Sequence, residues 1–116
     1  MAAAQYNFEI EQGSTLSKIL TYKDATGAVV DLTGYEARMQ MRATAGAVVT
    51  LLDLTSDPSV GIVIDGPSGQ ITITVSPADT ANIPVGGVYD LELIAPGGAV
   101  IRLLRGIISL SAEVTR

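Results

Sequence analysis

From Tyr35 to Arg42 the chain alternates without a break: Tyr35, Ala37, Met39 and Met41 are interleaved with Glu36, Arg38, Gln40 and Arg42. A strict period of two sends one set of side chains to a buried face and the other to solvent, which is the pattern of a half-buried strand and not of a helix. The same rhythm opens the chain, where Tyr6, Phe8 and Ile10 alternate with Asn7, Glu9 and Glu11. It returns in Ile71, Ile73 and Val75 and closes the chain in Ile108, Leu110, Ala112 and Val114. Less regular runs at 16–22, 48–55 and 60–65 read as further strands, with Val29-Val30 a short resumption of extended chain. Twelve glycines and five prolines fall between these runs, as turn punctuation.

Two loops carry specific turn chemistry. In Asp31-Leu32-Thr33-Gly34 the Asp and Thr side chains can bond nearby backbone N–H groups, and Gly34 can take a positive φ. Asp24-Ala25-Thr26-Gly27 has the same make-up. One helical turn is predicted over 76–82: Ser76 can cap it, Pro77 suits its first position, and Asp79 sits near its positive end. Pro96-Gly97-Gly98 joins a predicted hairpin. Ala95 then faces Ala99, Glu92 faces Arg102, Leu93 faces Ile101 and Leu91 faces Leu103, so apolar meets apolar on one side and opposite charges meet on the other. By simple alternation Arg102 and Arg105 point to opposite faces.

The fold class that follows is all-β: an antiparallel two-sheet β-sandwich of about eight strands with one short helical turn. Residues 1–116 form a single domain, with 1–5 a flexible N-terminal arm. The terminal strands, around 6–11 and 108–114, are the expected sheet edges. Their unpaired backbone groups could accept a neighbouring strand.

Composition narrows the chemistry. The chain has neither cysteine nor histidine, so disulfides, thiolate metal sites and the commonest general base are missing. Asp90 and Glu92 share a strand face but have Arg102 opposite them. Asp53, Asp57 and Asp65 lack the spacing of a calcium loop. The glycine pairs Gly86-Gly87 and Gly97-Gly98 lack the residues of a phosphate loop. Serine has no histidine to activate it, and a Ser–Lys arrangement through Lys18 or Lys23 is a remote alternative. No catalytic, cofactor-binding or metal-binding residue is assigned, and the chain reads as a non-enzyme without a cofactor.

A net charge of −5 disfavours nucleic acid. The N-terminus lacks the charge and apolar run of a signal peptide, and no apolar run approaches membrane-spanning length. Only 16% of residues are charged, against roughly 25% in ordinary soluble domains, which points to a surface partly covered by other proteins. Arg38 and Arg42 on the polar face of one strand, with Tyr6, Phe8, Ile108 and Leu110 on the terminal strands, are the candidate protein contacts.

The run Asp31-Leu32-Thr33-Gly34-Tyr35-Glu36-Ala37-Arg38-Met39-Gln40-Met41-Arg42 resembles a signature of small tailed-phage virion proteins. There a "DLTGY" turn feeds a strand of the form x-A-R-M-Q-x-R. The opening Phe8-Glu9-Ile10-Glu11-Gln12-Gly13-Ser14-Thr15 fits the same layout. So do Gly69-Gln70-Ile71-Thr72-Ile73-Thr74-Val75, then Asp79-Thr80, then Val88-Tyr89-Asp90-Leu91-Glu92-Leu93. The order is similar to the N-terminal domain of phage upper baseplate proteins and covers the chain from Phe8 to Arg116. The resemblance implies an Ig-like sandwich that docks to the tail, with no catalytic residues.

The expected role is a structural adaptor or assembly module of the tail or baseplate. It would be made in the host cytoplasm and present in several copies in a symmetric assembly, with other virion proteins as partners. Upper baseplate proteins usually continue into further domains. A domain standing alone could instead be a capsid decoration protein or a neck or collar component. A carbohydrate-binding sandwich is the alternative of another class, disfavoured by the absence of Trp and the presence of one Phe and four Tyr.

Overall fold

A computed structural model describes residues 4–114. The chain order is β1 (Ala4–Gln5), β2 (Phe8–Glu11), β3 (Leu16–Thr21), β4 (Glu36–Arg42), β5 (Leu52–Ser56), β6 (Ser59–Val60), β7 (Ile62–Asp65), β8 (Gln70–Val75), α1 (Pro77–Ala81), β9 (Gly87–Ile94) and β10 (Val100–Ser111). A seven-stranded sheet runs β1-β10-β9-β4-β5-β6, with β2 also on β10, and a three-stranded sheet runs β3-β8-β7. Met39, Met41, Leu91, Leu93 and Ile108 of the large sheet and Ile62, Ile71, Ile73 and Val75 of the small one belong to a single buried cluster. The fold is therefore all-β, two sheets sharing one core.

The signature turn launches the central strand. The Asp31 carboxylate accepts hydrogen bonds from the Thr33 amide at 2.9 Å and the Thr33 hydroxyl at 2.6 Å. Gly34 takes φ +82°, a conformation that L side chains avoid. Leu32, between them, is fully buried, and its amide donates to the Gly66 carbonyl at 2.8 Å. From this anchor β4 enters the large sheet between β5 and β9, its alternation intact. Asp24 builds the same turn with Thr26. In both loops the hydroxyl of the neighbouring threonine, helped by backbone amides, holds the carboxyl below its usual range.

The helical turn forms as its sequence predicts: the Ser76 hydroxyl accepts from the Asp79 amide and Pro77 opens α1. Its Thr80 is fully buried. The Thr80 hydroxyl accepts from the Gly13 amide at 3.0 Å and donates toward the Ser14 carbonyl at 2.8 Å. One side chain thus ties α1 to the turn between β2 and β3.

Four expectations are corrected. First, the sheets are not purely antiparallel, because β1 and β2 run parallel to β10. Second, the C-terminal strand is no edge. Residues 100–111 are one twelve-residue strand, paired with β9 on one side and with β1 and β2 on the other. Third, 48–50 lies outside the strand expected over 48–55, and β5 begins at Leu52. Fourth, the strand expected over 60–65 is broken at Gly61, which takes φ +83°. Val60 ends β6 in the large sheet and Ile62 begins β7 in the small one, while the Gly61 carbonyl accepts from the Thr74 amide at 2.8 Å. The glycine is the corner where the chain changes sheets. Together these breaks give ten strands where about eight were expected. Of the arm expected over 1–5, Ala4 and Gln5 are paired with Leu104 and Arg105, and 1–3 lies outside the described residues.

Candidate functional site on the outer face of the large sheet

Directly paired residues share a sheet face, so the register defines the outer surface. One row across it is Thr55, Arg38, Glu92 and Arg102; the next is Asp53, Gln40, Asp90 and Arg105. The hairpin begins in the expected register, with Ile101 opposite Leu93 and Arg102 opposite Glu92, and then shifts. Leu104, not Leu103, faces Leu91. This bulge at Leu103 consumes one residue of the alternation. It turns Arg105 to the same face as Arg102, which corrects the expectation that the two point apart. Arg38, Arg42, Arg102 and Arg105, all the arginines among the described residues, thus stand on one face of a chain with net charge −5.

Their environments differ. Arg38 donates from Nε to Glu92 Oε1 at 2.8 Å, so Glu92 pairs with β4 and not with Arg102. Arg102 lies 3.5 Å from Asp90. Arg42 is turned to internal work: its Nη1 donates to the carbonyls of Ala47 at 2.9 Å and Val48 at 2.7 Å, and its Nη2 to Gln40 at 3.0 Å. These bonds hold the loop after β4 and explain why Val48 and Val49 stand exposed outside the strand predicted for them. Replacing Arg42 with Ala is expected to cost about 1–3 kcal/mol by leaving loop carbonyls unpaired. Faster amide exchange and faster proteolysis confined to 43–51 would be the local readout. Arg105 makes no ion pair within 4 Å among the described residues.

A groove of about 520 Å³ lies over this face, lined by Gln5, Gln40, Arg42, Asp90, Arg102 and Arg105, with Val88 and Ile107 as its apolar floor. Three guanidiniums against one carboxylate make it locally cationic. Such a surface suits carboxylate or other anionic groups of a partner. The sequence did not reveal this clustering, because a bulge leaves no reliable mark on alternation. Gln5 was also missed, having been assigned to a flexible arm.

The other contact candidates divide. Tyr6 is 38% exposed, and its amide donates to the Arg105 carbonyl at 2.9 Å. Phe8 is partly buried, with its ring edge-on to Tyr89 at 5.0 Å. Leu110 is likewise partly buried, packed against the core. Ile108 is fully buried, because β10 is interior. It is a core residue with no surface to offer a partner, which corrects its place among the contacts.

Tyr89 sits beneath the N-terminal strand, its hydroxyl donating to the Tyr6 carbonyl. Burial, reinforced by the neighbouring Tyr6 phenol, pushes this hydroxyl up to about 12 from 10.0. The folded state therefore favours the protonated phenol. The stability it carries is complete below the unfolded value near 10 and is lost as pH rises through about 12. Urea titrations across this range should show a falling midpoint for the native chain. Tyr89→Phe, weaker at neutral pH by about 1 kcal/mol, should show a smaller fall.

Among the described residues no three acidic side chains converge to hold a metal ion, and no helix is long and apolar enough to cross a membrane. No protein-family model matches the chain, and no curated protein is significantly similar to it in sequence.

Proposed function

We propose that this chain is a non-enzymatic structural component of a tailed-phage virion, an Ig-like adaptor in the tail or baseplate that works by binding other virion proteins. The observation that carries the reading is the place of the Asp31–Arg42 signature in the fold. Its polar turn residues close a loop, its apolar positions fill the core, and its arginines stand on an exposed sheet face. A signature spent on folding and on one outward face fits a module selected for shape and contact. The shifted side chains fit the same reading: Asp24 and Asp31 hold turns, and Tyr89 anchors a strand. Each has a structural task, and none of the three stands in the cationic groove's open mouth as a free acid or base.

The partners are neighbouring virion proteins, met across the large sheet's outer face, with the domain folded before assembly. Mass spectrometry of gradient-purified particles tests the reading. The chain should co-sediment with particles in a fixed ratio to other virion proteins. Its confinement to the soluble lysate of infected cells would exclude the proposal. A head or neck location would show as retention on tailless heads.

A further inference from the structure

The outer face of the large sheet carries a stripe whose charge reverses along its length. On β10 the outward residues are Arg102, Arg105, Ile107, Ser109 and Ser111. Ser109 is paired with Glu9 and Ser111 with Glu11 on β2, and both glutamates are exposed. The stripe therefore reads cationic, apolar, anionic, with Ile107 at its middle, 52% exposed.

The spacing is symmetric about Ile107. Arg105 lies two residues before it, and the Ser109–Glu9 pair two residues after it, each about 7 Å away along the strand. The bulge at Leu103 places Arg102 one further ladder step out, opposite Glu92. That step matches the Ser111–Glu11 pair on the other side. A two-fold axis crossing the strands above Ile107 would lay one stripe antiparallel on another. Arg105 of each copy would meet Glu9 of the other, Arg102 would meet Glu11, and the two Ile107 side chains would pack at the axis. A surface complementary to itself in this way is the requirement for an isologous dimer.

We propose that the chain pairs with a second copy of itself through this stripe, face to face and with two-fold symmetry. The inference rests on the reading of the chain as a multi-copy assembly module and names one of its partners. The three charged positions serve well for a test. Glu9, Glu11 and Arg105 are exposed and make no ion pair within 4 Å among the described residues, so reversing their charges leaves the fold alone.

The experiment is sedimentation equilibrium on the native chain, on Arg105→Glu and on the double variant Glu9→Lys with Glu11→Lys, with circular dichroism to verify folding. The native chain should form a dimer, and no larger species, that weakens as salt is raised. Each variant alone sets like charges against each other at both ends and should dimerise at least tenfold more weakly. Mixing the two variants makes both ends attractive again and should give a heterodimer at least tenfold tighter than either variant's own dimer. A native chain that stays monomeric at low salt, a polymer instead of a dimer, or a dimer indifferent to these variants would overturn the inference. A monomer that still enters particles overturns this inference and leaves the virion reading standing. A dimer absent from particles upholds the pairing and removes the virion reading.

Discussion

Leu91→Ala is expected to destabilise the domain by about 2–5 kcal/mol. Leu91 is fully buried at the centre of β9, with Met39 of β4 and Leu104 of β10 as its ladder partners. Its side chain points at the small sheet, where Ile62 and Ile71 are also fully buried. Truncation removes buried apolar surface and leaves a cavity that paired strands on both sides resist closing. A domain of this size has about 5–15 kcal/mol to lose, so the variant should unfold at much lower urea and by a similar slope. Arg38→Ala is the instructive contrast. Its ion pair with Glu92 is short, but the arginine side chain is 54% exposed, and such pairs are worth about 0–1 kcal/mol. The outward charges contribute little to stability, which leaves them free to vary for contact.

Gly106→Val should act on the other vulnerable place, the seam where the N-terminal strand crosses β10. A side-chain carbon at Gly106 would collide with the Tyr6 carbonyl and press on the Asn7 side chain. These are backbone and anchored groups that cannot step aside cheaply. The strand would have to lift, giving up the Tyr6 amide bond to Arg105, the Ile107 amide bond to Asn7 at 2.9 Å and the Tyr89 hydroxyl bond to Tyr6. A loss of about 3 kcal/mol or more is expected, at the upper end of overpacking costs. Hydrogen exchange should quicken over residues 4–11 and at Ile107, while β4 and the middle of β9 stay protected. Equal acceleration throughout would mean that the N-terminal strand unfolds only with the whole domain.

Local chemistry made much of this fold legible. The alternation from Tyr35 to Arg42, the Asp31 and Asp24 turns, the Ser76 cap and the start of the hairpin register each depend on neighbours in sequence or directly across a turn. The features that escaped depend on distant groups. Gly61 switches sheets because its carbonyl reaches Thr74, and Val48 is held out of β5 by Arg42. The pairing of β1 and β2 with β10 joins residues about a hundred positions apart, as in Phe8 opposite Ile108. That same pairing buries the C-terminal strand and sets Glu9 and Glu11 beside it. The candidate surface was legible only in part: Arg38 could be placed from its alternation, but Arg105 could not, since one bulge residue reverses the face of everything on its far side.

The most direct measurement is hydroxyl-radical footprinting of the free chain against the chain assembled in purified particles. Val88, Ile107 and the other side chains on the outer face of the large sheet should lose reactivity in the particle, while the buried core stays unreactive in both states. Unchanged reactivity across that face in assembled particles, or particles that lack the chain altogether, would contradict a structural module that binds its neighbours there.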